Sequence, residues 1–234
     1  MRDKSGTSFM DLVGTMDRLR SPGGCPWDRE QTHISLLPYL IEESYELVEA
    51  VESGDREHIV EELGDVLLQV IFHARVGQDA QDAFDIDDVI AAISAKLRRR
   101  HPHVFERQPG GPEVTTAALE NGWEALKQAE KPERESVFDG IPQALPAVSR
   151  AQKILRKAQR TQLDSNPGSG TTEGTASRGE RMLAIIAEAE AAGADAESEL
   201  RETIRIEEAR LRVREYDARQ RGHQPGGIHQ GSDA

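Results

Sequence analysis

Four carboxylate side chains of this sequence have the spacing of ligands to a cation. Glu43 and Glu46 are three residues apart in one acidic segment, and Glu62 and Asp65 are three apart in another. Residues three apart are neighbours on one face of a helix, so each pair points in one direction. Crowded, partly desolvated carboxylates need a cation to stay ionised. An all-oxygen ligand set suits Mg²⁺, with Mn²⁺ as a substitute, so these residues predict a metal site.

Two helices joined by a tight turn would bring the two pairs together. Apolar residues recur along residues 36–51 at the spacing of an amphipathic helix, and residues 59–72 are more apolar, as in a buried helix. Gly54 suits the left-handed position that ends a helix, and Asp55 is a good N-cap for the next one. In an antiparallel hairpin centred on this turn, the two carboxylate pairs lie level with each other. All four carboxylates are therefore expected to converge near the seam between the helices.

The acidic segments and their flanks resemble a known family. The chain contains Glu42-Glu43-x-x-Glu46 and Glu61-Glu62-x-x-Asp65, preceded by Cys25-Pro26-Trp27-Asp28-x-Glu30-Gln31-Thr32 and followed by Lys96-Leu97-x-Arg99-Arg100-His101-Pro102-His103-Val104-Phe105. From about residue 8 to about residue 160, the chain resembles the MazG nucleoside triphosphate pyrophosphohydrolases. The resemblance implies an all-α fold and Mg²⁺-dependent hydrolysis of nucleoside triphosphates, ribo and deoxy, to the monophosphate and pyrophosphate. Such an enzyme would clean the nucleotide pool.

The implied reaction gives roles to the acidic residues. Water must be delivered to the α-phosphorus while pyrophosphate leaves, and the converging carboxylates would hold the metal. The catalytic candidates are Glu42, Glu46 and Glu61. Glu42 lies one turn before Glu46, where it is placed to orient or deprotonate the water. Glu61 points about 100° away from Glu62 around the helix, so the alternative to a catalytic role for Glu61 is a position that simply faces solvent.

Cations are needed to hold the phosphates that do not react. Lys96, Arg99 and Arg100 share the end of a helix expected over residues 86–101, and they are candidates for binding the triphosphate. Their alternative role is to complement the helix dipole. The family resemblance adds Trp123 and Lys127, one turn apart on a helix expected over about 115–130. There the ring would stack on a base and the ammonium would meet phosphate, unless the two simply form a surface cation–π contact.

The residues flanking the hairpin offer weaker candidates. Cys25 has no evident activating base and precedes a proline, so it is expected to be a structural loop residue rather than a nucleophile. Trp27 is expected to pack on the core, with a base pocket as its alternative. His101 and His103 lack further ligands at metal-site spacing, which favours a structural role.

The chain is expected to divide into five parts. These are a catalytic helical domain (1–135), a linker helix (136–163), a flexible linker (164–176), a degenerate second helical repeat (177–220) and a disordered tail (221–234). The second repeat aligns residues 179–189 with residues 64–74, but Ser177 replaces the residue matching Glu62 and Glu180 the one matching Asp65. This repeat is therefore expected to hold no metal. Related proteins complete a four-helix core by pairing two hairpins, so the resemblance implies a homodimer.

Composition excludes several classes of protein. The chain has 42 acidic and 29 basic residues, and a net charge of −13 argues against general binding to nucleic acid polymers. One cysteine excludes an intramolecular disulfide framework and is compatible with a reducing cytosol. No apolar stretch is long enough to span a bilayer and no signal peptide is recognisable, so a soluble, cytoplasmic protein is expected.

Three other interpretations remain open at this stage. The first is a narrower enzyme of the same superfamily, such as a dCTP/dUTP pyrophosphatase or a phosphoribosyl-ATP pyrophosphohydrolase. The second is a non-catalytic helical regulatory module that binds Mg²⁺ or nucleotides. The third is a di-iron carboxylate protein, which the absence of histidine at positions 46 and 65 disfavours.

Overall fold

The computed structural model describes residues 5–106, 115, 130, 135–163 and 176–220, and these residues form helices without any β-strand. The prediction of an all-α fold is confirmed. The helices are α1 (Ser5–Arg20), α2 (Pro26–Glu30), α3 (His33–Ser53), α4 (Arg56–Gly77), α5 (Ile86–Arg100), α6 (Pro102–Phe105), α7 (Ala147–Arg160), α8 (Arg178–Ala191) and α9 (Ala196–Gln220). None of these helices combines the length and the apolarity needed to cross a membrane. Residues 116–129 of the helix expected over about 115–130, residues 164–175 of the linker expected over 164–176, and the tail over 221–234 lie outside the described residues.

The α3–α4 hairpin forms through the local signals that predict it. Thr32 caps α3 by accepting a hydrogen bond from the Ser35 backbone, and the Ser35 hydroxyl accepts one from the Thr32 backbone in return. Gly54 ends α3 with a φ of 73°, a left-handed conformation that costs glycine nothing. The Asp55 side chain then accepts hydrogen bonds from the first backbone N–H groups of α4. The turn therefore fixes the register in which the acidic faces of α3 and α4 meet.

The chain folds as two compact units, residues 1–126 and 127–234. In the first unit, α1, α3 and α5 contribute Met16, Leu36 and Ile86 to a core that α4 completes. Met16, Leu36 and Ile71 are almost completely buried. Helix α4 lies at the centre of this core, and the core therefore holds the helix that carries Glu62 and Asp65.

Helix α4 is longer than the sequence suggests. The apolar segment from which this helix was predicted ends at residue 72, but the helix continues to Gly77. The reason is tertiary packing: Ala74 is buried, Arg75 pairs with Asp17 and Asp79, and the Phe84 ring lies directly on Gly77. A side chain at position 77 would meet that ring at 2.6 Å, so the contact requires glycine.

Arg20 joins α1 to the segment that leads into α3. Its side chain is only 5% exposed, and it donates hydrogen bonds to the backbone carbonyl oxygens of Asp28 and Gln31 and to the Asp79 carboxylate. The guanidinium carbon lies 5.6 Å from the centre of the Phe72 ring. Three polar contacts and an aromatic face hold the Nη1 and Nη2 end of this buried cation and fix α2 against the hairpin, while its Nε atom has no partner among the described residues.

We expect Arg20→Met to lower the free energy of unfolding by about 2–4 kcal/mol, because it removes a buried charged donor from two part-buried carbonyl groups and from the Asp79 carboxylate. Urea unfolding followed by circular dichroism measures the change. Arg18→Met is the matched control, since Arg18 is an exposed arginine of the same helix. Equal stability of the two variants would contradict the anchoring role of Arg20.

The second unit is built from α7, α8 and α9. Leu155, Ile186 and Ala196 form its core. Buried Gln152 donates to the Glu190 carboxylate and the Ala194 carbonyl and accepts from the Ala196 backbone, so one side chain ties the three helices together.

The residues that align with two of the metal-ligand candidates have another use in this unit. Ser177 and Glu180 form the capping box of α8, in which each side chain accepts a hydrogen bond from the other residue's backbone. Their side chains therefore stabilise a helix end. The five-part division of the chain remains a prediction.

Candidate functional site

The carboxylates of Glu43, Glu62 and Asp65 converge between α3 and α4. One oxygen from each side chain lies within 4.8 Å of the other two. Glu62 is buried, with 6% of its surface exposed, whereas Glu43 and Asp65 are half-buried. The hairpin thus brings three of the four predicted metal ligands to one spot.

Glu46 lies at the exposed edge of this cluster. It is outside the group of three, but its side chain forms a hydrogen bond with Glu43. Burial raises the pKa of Glu43, and the negative charges of Asp65, Glu46 and Glu62 raise it further. The Glu43 carboxyl therefore resists ionisation, as expected for a partly buried acid among like charges.

Glu62 provides the observation most specific to a ligand site. Its Oε1 atom lies 3.1 Å from Nε2 of His58, one helical turn earlier. Its Oε2 atom is buried and has no hydrogen-bond partner in the described part of the chain. An unsatisfied buried carboxylate oxygen is costly, and a divalent cation held with Glu43 and Asp65 would satisfy it. The residues present therefore fit a hard cation.

The remaining acidic candidates lie beside this cluster. Glu42 and Glu61 are both exposed to solvent, as a residue that handles water must be at least in part. Their catalytic roles remain predictions. The sequence analysis did not identify His58, although its position four residues before Glu62 on the same helix predicts that the two side chains are neighbours.

The basic candidates lie at the end of α5, which packs against α4. Lys96 and Arg100 are half-buried and Arg99 is exposed. Phosphate binding by these three residues remains a prediction. Trp123 and Lys127 lie outside the described residues, so their roles also remain predictions.

Trp27 has both of the properties that its two interpretations require. It contacts Phe72 of the core at a ring-centre distance of 6.4 Å, yet it is 49% exposed. Its ring also meets Tyr39 edge to face at 5.7 Å. Tyr39 precedes Glu43 by one helical turn, so a partly exposed aromatic surface adjoins the carboxylate cluster.

His33 of α3 and His73 of α4 form a half-buried pair that the sequence did not predict. Their Nδ1 atoms are 2.8 Å apart, their ring planes are nearly parallel, and the Phe84 ring stacks on His33. Such a hydrogen bond requires one protonated and one unprotonated Nδ1 atom. Burial lowers the pKa of His73, and the neighbouring His33 lowers it further.

We expect this pair to make stability depend on pH. Because the folded-state pKa of His73 is lowered, its stabilising contribution is complete above the unfolded-state value of about 6.5 and is lost as pH falls through the folded-state pKa. Thermal melts between pH 8 and pH 5 should therefore show a steeper fall for the wild type than for His73→Asn. His103→Asn should keep the wild-type slope, and equal slopes for all three proteins would exclude this role for His73.

Comparison with known proteins agrees with the geometry of the cluster. Residues 31–105 match the profile of the MazG nucleotide pyrophosphohydrolase domain. This range includes both carboxylate-bearing helices and α5. The resemblance drawn from the two acidic motifs is thus confirmed.

Three relatives show how far the similarity extends. The chain is 45% identical over 171 residues to the nucleoside triphosphate pyrophosphohydrolase/pyrophosphatase MazG of Thermotoga maritima. This match covers 73% of this chain and 64% of that protein. It is 43% identical over 156 residues to the nucleoside triphosphate pyrophosphohydrolase of Escherichia coli, covering 65% of this chain and 58% of that protein. An uncharacterised 26.1 kDa protein of Streptomyces cacaoi is 42% identical over 219 residues, covering 91% of this chain and 85% of that protein.

The shared length differs between these relatives. The chain spans 64% of the length of the Thermotoga protein and 58% of the Escherichia protein, whereas its match to the Streptomyces protein extends over nearly the whole chain. With an acidic hairpin of the predicted register and a matching domain profile over residues 31–105, this chain belongs to the MazG nucleotide pyrophosphohydrolase family.

Proposed function

We propose that this protein hydrolyses nucleoside triphosphates to the monophosphate and pyrophosphate with the help of Mg²⁺. The observation that carries the proposal is the buried, unpartnered Oε2 atom of Glu62 within a cluster of three carboxylates. The names of the Thermotoga and Escherichia relatives support the reaction class. Substrates would include ribo- and deoxyribonucleotides, in keeping with a role in cleaning the nucleotide pool.

Glu43, Glu62 and Asp65 would hold the ion, and Glu46 would complete the set from the exposed edge. The chemistry supplied by a bound Mg²⁺, or Mn²⁺ in its place, is neutralisation of the charge that develops on the phosphate oxygens. Burial of Glu62 keeps one ligand fixed and dry, while exposed Glu46 faces the side from which substrate can arrive. The site thus combines a buried ligand, Glu62, with a solvent-exposed ligand, Glu46.

The attacking water would be handled by carboxylates next to this set. Glu42 lies one turn before Glu46 on α3 and is exposed, so it is our first candidate for orienting or deprotonating the water. Glu61 is the second candidate, from α4. The triphosphate tail would be held by Lys96, Arg99 and Arg100, with Trp123 and Lys127 assigned to the base and the phosphates by resemblance.

Product analysis tests this proposal directly. Purified protein is incubated with a panel of ribo- and deoxyribonucleoside triphosphates, with and without Mg²⁺, and the products are separated by ion-exchange chromatography. Monophosphate with pyrophosphate, formed only with the metal, is the expected result. Diphosphate with inorganic phosphate would contradict attack at the α-phosphorus. Nucleotide binding without turnover would instead indicate the alternative, a non-catalytic module that binds Mg²⁺ or nucleotides.

We also propose that two copies of the hairpin pair into a four-helix core. Helices α3 and α4 each leave an apolar stripe exposed at spacings of three and four residues, which is typical of a helix that packs on another helix. The residues of the two stripes are between 36% and 79% exposed: Ile34, Leu37, Ile41 and Tyr45 on α3, and Val60, Leu63, Leu67 and Val70 on α4. Exposed stripes of this length are unusual in a monomer and fit a second copy of the chain.

A further inference from the structure

The second unit contains a cavity of about 280 Å³ that belongs to none of the sites described above. It lies between α7 and the turns at residues 138–143. Phe138, Ile141 and Ile154 give it apolar walls. Its polar lining comes from Asp139, Gln143 and Arg150.

Arg150 is the residue that points to a ligand. Its Nε atom is buried and has no hydrogen-bond partner among the residues that the structure describes. Arg156, six residues further along α7, shows the usual arrangement, since its Nε and Nη2 atoms donate to the two carboxylate oxygens of Glu190. A guanidinium is always charged and has five N–H donors. Because Arg150 lines the cavity, an anionic group there would give its guanidinium the acceptor that Arg156 has in Glu190.

The walls of the cavity are held in place by their own hydrogen bonds. The Asp139 carboxylate accepts from the backbone N–H groups of Glu135 and Ser136, at 3.0 and 2.9 Å. Lys157 of α7 donates to the Val137 carbonyl at 2.6 Å. Because Arg150, Ile154 and Lys157 follow each other at four- and three-residue spacing, they present one face of α7 to the turns. The cavity is therefore formed before any ligand arrives.

We infer that this cavity binds a nucleoside monophosphate. Arg150 supplies a planar, charged donor that suits a phosphate, and Phe138 offers a ring against which a base can stack. Gln143 has both a donor and an acceptor for a base edge. The volume is close to the lower limit of about 300 Å³ for small-molecule pockets, and an apolar-walled space of this size exceeds what a lone phosphate needs. The Asp139 carboxylate keeps its negative charge while it accepts from backbone donors, so the phosphate is assigned to the side of the cavity formed by Arg150.

The inference rests on the proposed function only for the class of ligand, which is the nucleotide product of that reaction. The cavity shares no residue with the carboxylate cluster, because it is built from residues 138–154 of the second unit. Binding here therefore requires neither a metal nor turnover. The two proposals can fail separately.

Isothermal titration calorimetry of the full chain in metal-free buffer tests the inference with AMP, GMP, CMP and UMP. At least one monophosphate is expected to bind, and Arg150→Met is expected to weaken it at least about tenfold. Lys153→Met is the matched control, an exposed cation of the same helix, and Glu62→Gln should leave binding unchanged. Phe138→Ala, which should weaken binding severalfold, provides a second variant if Arg150→Met melts differently from the wild type.

The same titrations define what would overturn the inference. Absence of binding to all four monophosphates would do so, as would affinities unchanged by both Arg150→Met and Phe138→Ala. Loss of binding in Glu62→Gln would place the nucleotide at the carboxylate cluster instead. Inorganic phosphate or benzoate binding as tightly as a monophosphate would show that the cavity recognises an anion or a ring alone. Monophosphate binding in a chain that hydrolyses no triphosphate would support this site and contradict the proposed function.

Discussion

Glu62→Gln is expected to lower kcat/KM for triphosphate hydrolysis by at least about 100-fold, equivalent to about 2.7 kcal/mol of transition-state stabilisation. The amide keeps the shape of the side chain but removes its negative charge and one acceptor oxygen. In the folded protein the Oε2 atom of Glu62 is buried and has no partner among the residues that the structure describes. Steady-state release of pyrophosphate measures the loss. Glu57→Gln, an exposed carboxylate of the first turn of α4, should retain wild-type activity.

Thermal melts of the same proteins separate loss of metal from loss of fold. Mg²⁺ should raise the melting temperature of the wild type and of Glu57→Gln, because an ion that binds only the folded state stabilises it. The Glu62→Gln protein should melt cooperatively and show little response to Mg²⁺. Full activity of Glu62→Gln with an unchanged Mg²⁺ response would remove Glu62 from the metal site.

The charge distribution of the cluster predicts that protonation would oppose the proposed binding of Mg²⁺. Burial and neighbouring carboxylates raise the pKa of Glu43, so this side chain takes up a proton at a higher pH than an ordinary glutamate does. A protonated carboxyl is a poor ligand for a hard cation. The apparent affinity for Mg²⁺ should therefore fall as pH falls through this raised pKa.

The hairpin was predictable because its determinants are local. Gly54 and Asp55 set the turn, and a register centred on that turn follows from counting residues. The three-residue spacing within each carboxylate pair then places Glu43, Glu62 and Asp65 together. Local sequence information was sufficient here because both sides of the site lie within one antiparallel pair of helices.

The features that sequence analysis missed depend on contacts between distant residues. His33 and His73 are 40 residues apart, and nothing in either segment indicates that their Nδ1 atoms meet. Burial of Arg20 likewise requires Asp79, 59 residues later. The extension of α4 to Gly77 depends on packing by Phe84, and helix propensity alone does not predict that contact. Within the hairpin, the exposure of Glu46 was not predicted, because helix geometry determines which residues lie next to it but not how far it is exposed to solvent.

Charge placed on the exposed apolar stripes is expected to separate the proposed dimer. Ile41→Glu on α3 or Leu67→Glu on α4 would bury a carboxylate in the core between two hairpins, and it should raise the dimer dissociation constant at least about 100-fold. Light scattering after size-exclusion chromatography would show a dimer for the wild type and a monomer for each variant. The metal site would remain in each monomer, so a Mg²⁺-dependent rise in melting temperature should persist.

The activity of these monomers decides what the dimer contributes. If the partner's helices complete the substrate pocket, hydrolysis should fall at least about tenfold, with KM rising because substrate contacts are lost. Met10→Glu controls for added surface charge, since Met10 is an exposed residue of α1 outside both stripes. A wild-type protein that is monomeric at micromolar concentration and fully active would refute the four-helix core. Dimeric variants with wild-type activity would show that the stripes serve another contact.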